Sequence, residues 1–179
     1  AGINVYADKP LVINKEGFEK LEEAFKIAKE KGVMIYDIMT ERFEETTAMQ
    51  KQFSISSEVF GELIDGTPEK PAISKESVHH FSKIVSGKPL TRPAWFFDAE
   101  QEGEGIVDVT THLVDLVQWE AFPEQIIDRS DIEMLRVKHW ATTLTPKEFE
   151  KVTKLTKFSD YLEKDVVDGK LNVLCNGEM

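Results

Sequence analysis

The stretch Asn14–Ile38, NKEGFEKLEEAFKIAKEKGVMIYDI, decides how the front of this chain is read. Asn14 is a good N-cap, since its short side-chain acceptor can take one of the unpaired N–H groups of a first helical turn. Phe18, Leu21, Phe25 and Ala28 then recur at helical spacing, and Gly32 supplies the stop. Val33 to Ile38 follows as a strand with no polar residue before Asp37, and Ile3 to Tyr6 forms a strand-like run upstream. Continuous apolar strands on both sides of a helix predict a parallel β-α-β unit covered on both faces. This reads as the last part of an open α/β domain.

Outward from that unit the alternation stops. Residues 39–65 read as helical and polar, with Phe43, Met49 and Phe53 as an irregular apolar stripe and Asp65-Gly66-Thr67-Pro68 as a closing turn. Residues 76–85 and 94–98 read as strands, with Gly87-Lys88-Pro89 as a turn between them. Residues 105–120 read as a helix, and 131–143 as one long strand or a bent pair. Thr145-Pro146-Lys147-Glu148 is a helix start, with Thr as N-cap, Pro at the first position and Glu at the third. Helices near 146–155 and 158–166 precede a last strand, Leu171 to Leu174, and a turn over 176–179. The fold class expected is therefore α/β followed by α+β. Residues 1–38 are read as the end of a Rossmann-like domain. Residues 39–179 are read as an α+β substrate and catalytic domain, a mixed, mostly antiparallel sheet with helices on one face.

Composition bounds the function classes. The chain has 179 residues, 41% hydrophobic and 31% charged, values of an ordinary globular protein. Its net charge of −11 and the lack of a basic stripe argue against nucleic acid as a partner. No apolar run approaches the roughly 20 residues that cross a bilayer, so no membrane span is expected. Cys175 is the only cysteine, which rules out an intrachain disulfide and a cysteine metal cluster. That usage fits a reducing compartment and favours a cytoplasmic location, with export left open. The chain opens without Met directly before a strand and stops on a turn signal, so both ends are read as cuts in a longer polypeptide. The sheet is expected to be truncated at its C-terminal end.

The segment Gly105–Trp119 carries chemistry. At about 100° per residue, Asp108, His112, Asp115 and Trp119 fall on one narrow polar stripe, opposite Ile106, Val109, Leu113, Leu116 and Val117. Buried carboxylates on such a line need partners or a wet cleft. Asp108 and His112 are four apart and can meet. A carboxylate beside an imidazole fixes its tautomer and suits a general base or acid. The same pair also serves a helix whose Asp and His satisfy each other and do nothing more. A metal site from His112, Asp108 and Asp115 with His79 or His80 is a further, weaker reading, and no metal is expected. Gly103-Glu104-Gly105 is rejected as a dinucleotide loop: Asp108 stands at the third glycine position, and Glu104 would repel a phosphate. The second feature is Asp8-Lys9-Pro10, directly after the first strand, where ligands gather in open α/β sheets. Pro10 restrains Lys9 toward extended geometry, though a surface lysine in a loop is the commoner fate of any single Lys.

Gly2-Ile-Asn-Val-Tyr-Ala-Asp-Lys-Pro-Leu11 resembles the Glu-Lys-Pro segment of the Gfo/Idh/MocA oxidoreductases, with its Gly-x-x-Val lead-in. Asp108-x-x-x-His112-x-x-Asp115 resembles the catalytic helix of their second domain, with a Gly-rich turn before it. The order and the separation of about 100 residues both match the family. Tyr36–Arg42 and Arg92–Asp98 are similar to a subgroup of oxidoreductases in that family, and the resemblance covers nearly the whole chain. It implies a Rossmann domain for NAD or NADP, then an α/β domain on a large, mostly antiparallel sheet. It further implies hydride transfer between a sugar or cyclitol carbinol and the nicotinamide.

By carry-over, Lys9 contacts the substrate hydroxyl and the nicotinamide ribose. Asp8, Lys9 and Pro10 are the cofactor-side residues. His112 is the proton acceptor, and Asp108 positions the substrate or the imidazole. Arg42, Trp95 and Asp115 are substrate-side candidates; Arg42 and Trp95 are chosen for chemistry and not by a motif. Two departures stand out: Asp8 replaces the usual Glu, one methylene shorter, and no Gly-rich β-α turn is present, so most of the cofactor site is missing. The chain as given is therefore expected to be inactive. The alternative is a non-catalytic carbohydrate-binding or interaction relative, with Trp95, Trp119 and Trp140 available to stack on sugar rings. The expected partners are a small sugar-like substrate and a second copy, joined through sheet surfaces or edges.

Overall fold

A computed structural model describes residues 2–179; Ala1, used above in reading the N-terminal end, lies outside the described residues. The chain forms two compact units. The first combines the stretch up to Ser77 with Thr110–Leu135, and the second combines Val78–Val109 with Arg136–Met179.

The first unit contains the expected β-α-β element. Strands β1 (Val5–Ala7) and β2 (Ile35–Asp37) pair in parallel, with Tyr6 opposite Tyr36, and helix α1 (Lys15–Lys31) joins them. The Asn14 side chain accepts from the Gly17 N–H at 2.8 Å. Gly32 ends α1 at φ 63, in the left-handed region that suits glycine. One expectation fails here: the unit is not covered on both faces. Tyr6 and Tyr36 stack on an open face with centroids 6.0 Å apart, and Phe18 and Phe25 remain half exposed on α1. Two three-residue strands are too narrow to cover a 17-residue helix. Beyond β2 come a 3₁₀ turn (Thr40–Phe43), α2 (Glu45–Ser54) and the short α3 (Ser57–Phe60). The expected helical character therefore ends at residue 60.

In the second unit, β3 (Ile84–Val85) and β4 (Lys88–Pro89) form a hairpin. Ser86 and Gly87 both have positive φ, as a two-residue hairpin turn requires. The strand expected over 94–98 is instead a 3₁₀ helix, Ala94–Phe97, after Pro93. A strand would send Phe96 and Phe97 to opposite faces; the 3₁₀ turn lets both meet Phe81 edge to face. Helix α4 (Gly105–Asp108) stops at Val109, and α5 (Thr110–Ala121), which belongs to the first unit, begins one residue later. The single helix expected over 105–120 is thus broken. Val107, Val109, Thr110 and Thr111 crowd β-branched side chains at that point, which weakens a helix.

The remaining sheet is antiparallel, in the order β5 (Lys138–Leu144), β7 (Lys170–Glu178), β6 (Val166–Val167), with a bulge between Trp140 and Ala141. Strand β7 runs through 176–178, where a turn was expected. Helix α6 (Pro146–Thr153) carries the expected capping box between Thr145 and Glu148. Phe97, Phe149, Leu162 and Leu171 are the fully buried centre of this unit, and Phe149 stands edge to face with Phe97 and Phe158. Gly105 and Gly177 let α4 lie on β7: a Cβ at Gly105 would strike the Cys175 carbonyl, and one at Gly177 would come within 2.8 Å of Ile106. The Gly-Glu-Gly run is thus a packing element. The whole is a mixed α/β protein with small antiparallel sheets. Among the described residues no helix is long and apolar enough to cross a membrane.

Candidate active site

Parallel pairing makes β1 and β2 end on the same sheet edge, where the Ile38 N–H donates to the Ala7 carbonyl at 2.9 Å. Lys9 lies two residues past β1. Its peptide bond to Pro10 is cis, and Asp8 Oδ1 accepts the Lys9 backbone N–H at 2.9 Å. The chain leaving β2 passes through buried Met39 into the 3₁₀ turn that carries Glu41 and Arg42.

Helix α5 packs on this turn and on α2. Its polar stripe finds partners there. Arg42 Nε donates to Asp115 Oδ2 at 2.7 Å, and Nη2 donates to Oδ1, a two-pronged clasp. The hydrogen bond to Asp115 holds the guanidinium above its ordinary value despite burial, and the charges of Asp115 and Asp37 act in the same direction. His112 is largely buried, with Nε2 3.9 Å from Glu41 Oε1. Lys75 donates to Glu120 at 2.7 Å, with both side chains nearly buried. The Lys51 ammonium lies 4.0 Å from the Trp119 ring centroid. The buried stripe is paid for by partners contributed by α2, the 3₁₀ turn and the loop at Lys75.

In the second unit, buried Asp108 lines a cleft with His79, His80, Arg92, Glu102 and Cys175. Burial pulls the Arg92 guanidinium below its ordinary value, against the opposing charges of Asp108 and Glu102. Trp95 sits half exposed on the Ala94–Phe97 turn.

Of the residues singled out from sequence, Arg42, His112 and Asp115 come together on α5 and the turn it contacts. Lys9 shares the strand-end edge from which that turn departs. Asp108 and Trp95 belong to the other unit. Glu41 was missed as the neighbour of His112. A charged pair, Glu41-Arg42, just past a strand end was the available signal. Among the described residues no group of three or more His, Cys, Asp or Glu is placed to hold a metal ion.

This architecture is that of an oxidoreductase C-terminal domain. The chain belongs to the family whose model is described as "Putative oxidoreductase C terminal domain", which matches residues 49–179. It is similar to a crystal structure of a "putative oxidoreductase" from Parabacteroides merdae ATCC 43184, with 58% identity and a TM-score of 0.92. The match covers 98% of this chain and 40% of that one, so the chain spans well under half the length of its solved relative. No curated protein matches.

Proposed function

We propose that this chain is part of an NAD(P)-dependent oxidoreductase of the Gfo/Idh/MocA type, which oxidises or reduces a sugar or cyclitol carbinol in the complete protein. In this reading residues 1–38 close a Rossmann-like domain and residues 39–179 form the substrate domain. The observation that carries it is the common strand-end edge: Lys9 follows β1, and the turn after β2 presents Glu41 and Arg42 to the helix of His112 and Asp115.

The donor set around Lys9 fits hydroxyl groups. Its ammonium can donate to a carbinol oxygen or a ribose hydroxyl, with Asp8 shaping the loop. The nicotinamide, when bound, supplies the hydride acceptor or donor. His112 takes the carbinol O–H proton on its imidazole, and the reverse reaction returns it. Proton arrival at Nε2 would put the new charge beside the Glu41 carboxylate. Arg42, held by Asp115, keeps the turn that carries Glu41 against α5.

The test is to express the complete reading frame, titrate NAD and NADP, and assay sugars and cyclitols. His112→Ala should abolish turnover while cofactor binding persists. Loss of cofactor binding by both proteins, or full activity without His112, would sink the reading. Association of copies through the outer edge of β5 completes the proposal.

A further inference from the structure

Residues 61–77 leave α3 and run to the end of the first unit with no helix or strand. Residues 61–72 are all exposed, Leu63 and Ile64 included. Their middle folds on itself. The Thr67 N–H donates to the Lys70 carbonyl at 2.9 Å, the Lys70 N–H donates back at 3.1 Å, and a Cβ at Gly66 would strike the Ala72 backbone nitrogen. Further along, Ile73 and Lys75 are partly buried. The Lys75 ammonium donates to Glu120 on α5 at 2.7 Å, with side chains only 14% and 7% exposed. Among the described residues no other hydrogen bond ties residues 62–77 to another element. The proton chemistry above does not use Glu120: His112 lies two turns earlier on α5 and has Glu41 as its own neighbour.

An ion pair makes this tie releasable. While it is closed, the two charges attract each other but have lost their water. When it opens, both regain water, so attraction and desolvation largely offset one another. Removing one charge is different, because the other then stays buried without a counterpart. Opening also disturbs little else. Residues 61–72 already lie in water and make their hydrogen bonds among themselves, so they can lift away without taking α5 or the β1–β2 pair apart.

We propose that residues 61–77 are a strap latched on α5 by the Lys75–Glu120 pair, which opens and recloses as a unit while the rest of the first unit stays folded. Its opening bares the Glu120 carboxylate to water. The device is separate from the carbinol chemistry and holds whatever the complete protein oxidises.

The strap carries its own reporter. Trypsin takes a lysine side chain into an acidic pocket. The strap's lysines are Lys70 and Lys75, and Lys70 precedes Pro71, a bond trypsin does not cut. The bond left is Lys75–Glu76, whose lysine is the one Glu120 holds. In the full-length protein, initial rates of cleavage at Lys75–Glu76 and at Lys26–Ile27 inside α1 are followed by mass spectrometry from zero to moderate urea. The wild type should be cut at Lys75–Glu76 at least about tenfold more slowly than a synthetic peptide of residues 61–77. That rate should rise less steeply with urea than the rate at Lys26–Ile27, since opening the strap exposes little surface. Glu120→Gln keeps the size but removes the charge, and should speed cleavage at Lys75–Glu76 about tenfold, with a smaller rise at Lys26–Ile27. A wild-type rate equal to the peptide's would mean no latch. Equal urea slopes at the two bonds would mean the strap opens only with its whole unit. A folded Glu120→Gln protein cut no faster than wild type would mean the pair is not the latch. Each result overturns the proposal, and the first two need no variant, so a misfolded Glu120→Gln would not rescue it.

Discussion

Arg42 holds Asp115 by two hydrogen bonds, from Nε and Nη2 to the two carboxylate oxygens, across 73 positions of sequence. The Asp115 side chain is mostly buried and Arg42 is about one-third exposed. Truncating Arg42 leaves the mostly buried Asp115 carboxylate without its clasp, and truncating Asp115 strips the more exposed guanidinium of it. Arg42→Ala should cost about 2 kcal/mol, less than a fully buried pair because water screens the arginine. In urea unfolding, the double variant Arg42→Ala/Asp115→Ala should lose less than the two single losses added together. Strict additivity would show that the clasp contributes nothing as a pair.

Asp98 makes stability depend on acid. It is buried, which alone would raise its pKa, but hydrogen bonds from Gln101, Lys164 and the Glu100 backbone outweigh that and hold it below its ordinary value. The unfolded chain therefore takes up the Asp98 proton first as pH falls. The stabilisation is whole above about pH 4 and disappears as pH drops through the lower, folded value. Asp98→Asn should destabilise the protein near neutrality by about 2 kcal/mol, and the gap to wild type should close in acid. Urea midpoints measured from neutral to strongly acid solution decide it; a constant gap would be wrong for this sign.

Gly105 is a tighter constraint than Gly32. A methyl at Gly105 meets the Cys175 carbonyl, whereas nothing lies within 4 Å of one at Gly32, where only the φ of 63 is unfavourable. Gly105→Ala should cost about 2 kcal/mol or more and Gly32→Ala about 1 kcal/mol. Thermal melts of the two variants should rank in that order.

The proposed catalytic roles would separate by kinetics in the full-length protein. Lys9→Ala should lower turnover about a hundredfold. Glu41→Gln, which acts only through His112, should lower kcat about tenfold with little change in KM, and should alter the pH profile. An unchanged pH profile would make Glu41 a structural neighbour only. The isolated 179-residue chain should show no turnover of NAD or NADP.

Strand β5 forms one edge of its sheet and leaves Trp140 half exposed. Light scattering on the isolated chain should find association that Trp140→Lys reduces. A monomer at all concentrations would remove edge pairing.

Local chemistry was the legible part. Asn14, Gly32 and the Thr145–Glu148 box announce helix ends by hydrogen bonds that a few neighbouring residues complete among themselves. The turn at Asp168-Gly169, where both residues have positive φ, carries the same kind of short-range signal, and was overlooked. What failed was set by distant partners. Phe96 and Phe97 leave the strand pattern because Phe81 and Phe149 wait on one side. Strand β7 continues through Asn176 and Gly177 because β5 pairs with it there. At the site, helical spacing put His112, Asp115 and Trp119 on one face of α5. It could not tell that Glu41, Arg42 and Lys51 would meet them, since those partners lie some 70 positions upstream.

The open face of the β-α-β unit is made of two stacked tyrosines rather than two leucines. A phenol tolerates both water and an apolar neighbour, because its ring is greasy and its hydroxyl is not. Tyr6 and Tyr36 are both more than half exposed, so this face meets water through side chains that tolerate it without a cover.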